Sequence, residues 1–139
     1  MSLRIDWRRE KRRILLPIIV LRPYPVTDLS GTEATALIDT GSSVSGVSAN
    51  VAQSLGLVGL GKRSLKSAQG EGQVERYAFR VGFQPASTGE EAAFPFVFEE
   101  VIGIELTNAF EFTALIGMDL LDQCDFTSGR DGACSLVFG

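Results

Sequence analysis

"ALIDTGSS", Ala36 to Ser43, carries an apolar run straight into an acid, a threonine, a glycine and two serines. Alternation over the preceding residues puts Ala34, Ala36 and Ile38 on one face of a strand and Thr35, Leu37 and Asp39 on the other. Gly41 then breaks the extended run. A carboxylate at the end of a buried strand is costly unless something pairs with it or uses it, so Asp39 is the first candidate for chemistry.

Strand signals dominate on both sides of this segment. Upstream, "RILLPIIVL" (13–21) predicts a strand, and "RPYPVTDLSG" (22–31) supplies the prolines, Asp, Ser and Gly of a turn back into it. Downstream, one short helix is expected: Ser48 is a suitable N-cap, Val51 and Leu55 form an i, i+4 apolar pair, and Gly56 with Leu57 suits a Schellman ending. "RSLKSAQGEGQVERYAFRVGF" (63–83) predicts a long hairpin with Gly70 and Gly72 at its tip and Tyr77, Phe79, Val81 and Phe83 alternating on its return arm. A glycine-tipped hairpin of that length suits a lid as well as an ordinary surface hairpin. "QPASTGEEA" (84–92) is a loop, and Phe94, Phe96 and Phe98 alternate in a further strand, where Pro95 implies an edge position or an irregularity. "TALIGMDLL" (113–121) drives a second apolar run into a glycine and a helical turn, and "CDFTSGRDGACSLVF" (124–138) closes as a hairpin.

At 139 residues the chain has room for one ordinary domain, and no apolar stretch approaches the roughly 20 residues of a membrane span. The net charge of −4 conceals a basic start, with Arg4, Arg8, Arg9, Lys11, Arg12 and Arg13 crowded together. Residues 1–13 therefore read as a solvated basic arm and 14–139 as a single domain. Nucleic acid is disfavoured as a partner, because Asp6 and Glu10 interrupt the charge and no aromatic series accompanies it for base stacking. "ILLPIIVL" follows basic residues as a signal peptide's apolar region does, but Pro17 and the absence of a small-residue cleavage site favour a strand. A cytoplasmic location is the corresponding expectation, with Cys124 and Cys134 as reduced thiols on the apolar face of the last hairpin.

The chain contains no histidine, which excludes Ser-His-Asp and Cys-His nucleophilic machinery and histidine-containing zinc sites within it. Two cysteines fall short of an all-cysteine zinc site. Asp119, Asp122 and Asp125 suit solvated or capping acids better than a hard-metal site, so neither metal nor cofactor is expected. Hydrolysis, if the chain performs it, falls to carboxylates.

"ALIDTGSS", a short helix, a glycine-tipped hairpin and then "ALIGMDLL" together resemble the retropepsin-like aspartic proteases, in their bacterial and cellular branch, over about residues 14–138. The resemblance implies an all-β, closed barrel-like acid protease fold with one or two short helices. It also implies that Ile116 and Gly117, followed by Asp119, form a structural motif against which the Asp39 turn packs. Chains of this length in that family carry half an active site, so a homodimer presenting Asp39 from each copy to a peptide or protein substrate is implied. Two carboxyl groups about 3 Å apart cannot both ionise easily and share one proton, which suits general acid–base hydrolysis of a peptide bond. Thr40 would lock the two turns together, Gly41 would lend its N–H to a carboxylate, and Gln69, Gly70, Glu71 and Gly72 would form a flap over substrate. Ser42, donating to the charged carboxylate, would favour its ionised form and give an acidic optimum. Ser43 and Met118 stand where retroviral members carry an acid and an arginine that brace one another, so that brace is absent here. The alternative is a catalytically silent module of the same fold, used for dimerisation or for binding a peptide or partner.

Overall fold

A computed structural model describes residues 3–10, 12–67, 70–84, 96–108 and 111–139, without the side chains of 66 and 67. The expected strand and turn emerge as β2 (Leu15–Leu21) and β3 (Gly31–Ile38), paired antiparallel with Leu15 opposite Leu37 and Leu21 opposite Gly31. The intervening turn is held by a residue that alternation would place on the solvent face. Arg80 is 1% exposed and donates to the carbonyls of Arg22, Pro25, Val26 and Asp28.

After β3 the chain turns through Asp39 into β4 (Gly46–Ser48) and α1 (Ala49–Leu55). Ser48 Oγ accepts from the N–H of Val51, and Gly56 takes the left-handed φ of 64° that a side chain would resist. The N–H groups of Gly56 and Leu57 donate to Gln53 O and Ala52 O, completing the expected Schellman pair.

β5 (Lys62–Ser67) and β6 (Gly70–Phe83) form the long hairpin, with Ser67 opposite Gly70. The glycine pair expected at its tip thus falls within the pairing: Gly70 opens β6 and Gly72 lies within it opposite Leu65. β7 (Phe96–Leu106) pairs with both β6 and β4, which makes it an interior strand; Phe94, Pro95 and most of the preceding loop lie outside the described residues. β8 (Ala114–Ile116), α2 (Met118–Leu121) and the β9 (Asp125–Ser128)/β10 (Ala133–Phe138) hairpin follow as expected.

The larger sheet runs β2-β3-β8-β4-β7-β6-β5, and β2 also pairs with β6, so six strands close on themselves while β5 stays outside. Closure is uneven, resting at that seam on the pairs Ile19–Gly82, Val20–Val81 and Leu21–Arg80. Inside pack Leu16, Ile18, Ala36, Ile38, Phe79, Val81 and Ile116, and the rings of Phe83, Phe96, Phe98 and Phe138 meet edge-on or tilted at one end.

The basic start is not a solvated arm. Leu3–Arg8 is β1, paired antiparallel with β10 in a three-stranded sheet ordered β1-β10-β9, and Ile5 joins the common core. Alternating Leu3, Ile5 and Trp7 give this stretch an apolar face that the count of charges hides. Its arginines are used locally: Arg4 pairs with Asp6, and Arg8 and Arg9 donate to the carbonyls of Asp131 and Gly129 in the β9/β10 turn. Cys134 is buried in β10 opposite Ser128, whereas Cys124 precedes β9 and is half-buried, and both are free thiols. No helix among the described residues is long and apolar enough to cross a membrane.

Candidate functional site

β3 delivers Asp39, and β8 holds it in place. The two strands are parallel, with Ala36, Leu37 and Ile38 beside Ala114, Leu115 and Ile116, and the Asp39 N–H donates to Ile116 O at 2.9 Å. The chain then turns tightly: Ser42 N–H donates to Asp39 O at 3.2 Å, and Gly41 N–H donates to Asp39 Oδ1 at 2.9 Å. A Cβ on Gly41 would lie 3.2 Å from that oxygen. The carboxylate is thus aimed by a backbone donor and is neither fully buried nor free to rotate.

The second apolar run, with Ile116, Gly117 and Asp119, packs against the far side of this turn. Met118 N–H donates to Ser42 O at 2.7 Å. A Cβ on Gly117 would lie 2.5 Å from Val44 O and 2.8 Å from Ser42 O, so only glycine permits the approach. Asp119 binds Ser45 twice: Ser45 Oγ donates to Oδ1 at 2.6 Å and Ser45 N–H to Oδ2 at 3.0 Å. Ser45 Oγ in turn accepts from Gly117 N–H at 3.0 Å. Asp119 is therefore a tether between the two glycine turns. Ser45, wholly buried, is the member of this network that sequence reading missed; nothing in "SSVSG" distinguishes it from its neighbouring serines.

Ser42 departs from expectation. Its hydroxyl donates to Val44 O at 2.7 Å. A hydroxyl has one proton to give, so this bond displaces the donation to Asp39 and removes the basis for tuning by Ser42. Thr40 is exposed at the apex of the turn. Of the expected flap residues, Gln69 lies outside the described residues, while Gly70, Glu71 and Gly72 are exposed in the first positions of β6. Gly70 has φ 123°, a conformation that favours glycine.

The sheet has two faces at this end. Leu16, Ala36 and Ala114 stand in one cross-strand row and are buried in the core, whereas Leu15, Leu37 and Leu115 form the adjacent row on the opposite face and are only partly buried. By strand alternation Asp39 belongs to the leucine face. Lateral to it, Arg13 pairs with Glu111, and its guanidinium stands 5.9 Å from the centroid of Phe112. Phe110 lies outside the described residues. Tyr77, on the return arm of the hairpin, donates from its hydroxyl to Glu105 Oε2 at 2.5 Å. That bond, with partial burial, pushes its phenol up to about 12. Among the described residues no group of three or more acidic or thiol side chains is placed to hold a metal ion.

An acid presented by one strand-to-glycine turn and braced by a second is the feature to set beside known proteins. A family profile described as aspartyl protease matches residues 26–120, which include both turns. The chain is similar in structure to a retropepsin-like aspartic protease from Rickettsia conorii, with TM-score 0.67 and 18% identity over 99% of this chain and 92% of that one. No curated protein matches.

Proposed function

The chain belongs to the aspartyl protease family, with a retropepsin-like fold, and from that premise we propose that it is an endopeptidase whose active centre is a pair of Asp39 carboxylates in a homodimer. The observation that carries the proposal is the Asp39 turn itself: a carboxylate oriented by Gly41 N–H, on a residue whose backbone N–H is anchored to Ile116 O, and which belongs to the leucine face rather than the core. A single carboxylate is half of an acid–base pair, and a second copy supplies the other half by symmetry.

In the assembled site one Asp39 is ionised and the other holds the shared proton. The ionised carboxylate takes a proton from a water molecule as its oxygen bonds to the scissile carbonyl carbon. The protonated carboxyl gives its proton to the carbonyl oxygen, forming a neutral tetrahedral diol. Collapse breaks the C–N bond, with the leaving nitrogen taking a proton from the acid and a hydroxyl returning its own. Thr40, exposed beside Asp39, faces the partner's turn, and the β5/β6 hairpin with Gly70, Glu71 and Gly72 covers an extended peptide. The leucine row supplies an apolar floor for that peptide.

The test is cleavage of a peptide mixture, read by mass spectrometry, alongside sedimentation to measure dimerisation. Wild type should cut and Asp39→Asn should not, with its circular dichroism and sedimentation unchanged. Cleavage retained at wild-type rate by Asp39→Asn would overturn the assignment, as would peptide binding without cleavage by a protein that is wholly dimeric.

A further inference from the structure

The β2–β3 register has a consequence beyond the acid itself. Leu15 stands opposite Leu37, and Ile38 N–H donates to Ile14 O at 2.8 Å, so the end of β3 that leads to Asp39 runs beside the backbone that follows Arg13. Arg13 and Glu111 together line a groove of about 790 Å³, with Glu10, Arg12 and Leu15. The groove shares Leu15 with the leucine row and so adjoins the face to which Asp39 belongs, with Arg12 and Arg13 balanced by Glu10 and Glu111.

The two partners of the Arg13–Glu111 pair are held unequally. Arg13 has support apart from Glu111: its backbone N–H donates to Glu10 O at 3.2 Å, and its guanidinium lies over the Phe112 ring. Glu111 meets it through a single oxygen, and both side chains are more than half exposed. An exposed, single-contact ion pair is worth little, so a carboxylate from outside can replace Glu111 while Arg13 keeps its place. A cation entering instead would have to draw Glu111 away from an arginine that stays where it is. Arg12 adds a second positive charge to the wall, and Glu10 opposes it.

We infer that this groove is a specificity subsite for an acidic side chain of the peptide, with Arg13 as the recognising residue and Glu111 as a built-in competitor that the substrate displaces. The inference rests on the peptidase reading for its place in catalysis. Its selectivity is also measurable without turnover.

The experiment compares matched peptides that differ only by Glu, Gln or Lys at each position flanking an apolar cleavage sequence, with the ratio of kcat/KM taken within each protein. At one position wild type should favour Glu over Gln by about three- to fivefold, the range of a partly exposed ion pair, and the preference should shrink in high salt. Arg13→Gln should bring the ratio to one, Arg13→Lys should retain part of it, and Glu111→Gln should raise it. A purely structural role for the pair would not move the two neutralising variants in opposite directions. The same peptides are also titrated against Asp39→Asn by fluorescence anisotropy. If no peptide is cut yet Asp39→Asn prefers Glu, the subsite stands and the peptidase reading fails. If cleavage occurs with no charge preference at any position, or with a preference that Arg13→Gln and Glu111→Gln leave unchanged, the subsite is overturned. It is equally overturned if neither cleavage nor binding distinguishes Glu from Gln.

Discussion

The Asp119 carboxylate receives both the hydroxyl and the backbone N–H of Ser45, at 2.6 and 3.0 Å, across a separation of 74 residues. Through that bridge the second glycine turn is tied to the loop that follows Asp39. Replacing Asp119 with Ala would leave two donors of a fully buried residue without an acceptor, and the expected loss is about 3 kcal/mol of stability. Asp119→Asn retains one acceptor and should cost roughly half as much. Urea unfolding measures both. A destabilisation below about 0.5 kcal/mol for Asp119→Ala would show that the bridge does not hold the turns.

Gly117 approaches Val44 O and Ser42 O too closely for any side chain. Gly117→Ala should therefore force the two turns apart, costing about 1–3 kcal/mol, and should reduce peptide cleavage by more than its stability loss explains. Activity measured well below the melting temperature separates those effects. Wild-type activity in a folded Gly117→Ala protein would mean that the spacing of the turns is not critical.

Arg80 makes its four carbonyl contacts with the 22–28 turn from a fully buried position. Arg80→Leu fits the apolar surroundings but leaves those carbonyls to find water, and a loss of about 3 kcal/mol is expected. Limited proteolysis with a broad-specificity enzyme should then cut first within residues 22–30. Unchanged resistance of that turn would contradict its dependence on Arg80.

Tyr77 carries a pH signature. Its hydrogen bond to Glu105 and its partial burial raise the folded phenol from its ordinary 10 to about 12. The folded state thus holds this proton more tightly than the unfolded chain. The associated stability is complete below pH 10 and is lost as the pH rises from about 10 to 12. Tyr77→Phe removes this dependence, so the difference in unfolding free energy between wild type and variant should narrow across that interval. A difference independent of pH there would rule out the linkage.

Much of the architecture was legible because it depends on neighbours in sequence. The alternation in β2 and β3, the capping serine and terminal glycine of α1, and the paired arms of the last hairpin all follow from local spacing and turn chemistry. The same locality explains the misreadings. Six basic residues in a short stretch masked the alternation of Leu3, Ile5 and Trp7, so a core strand read as a solvated arm. Gly70 and Gly72 drew the expected tip onto residues that are paired within β6, because strand pairing rather than glycine content sets where a hairpin turns.

The sequence by itself determined that one apolar strand ends in Asp39-Thr40-Gly41, that a second ends in Gly117, and that no histidine is present to do the chemistry instead. Tertiary structure alone decided where the polar side chains spend their hydrogen bonds: Ser42 on Val44, Ser45 on Asp119, Arg80 on the 22–28 turn, and Arg13 on Glu111. Backbone pattern is written in residues a few places apart. The partner of a polar group is whichever donor or acceptor the folded chain brings within about 3 Å, and for the last three of these that group lies more than 50 residues away.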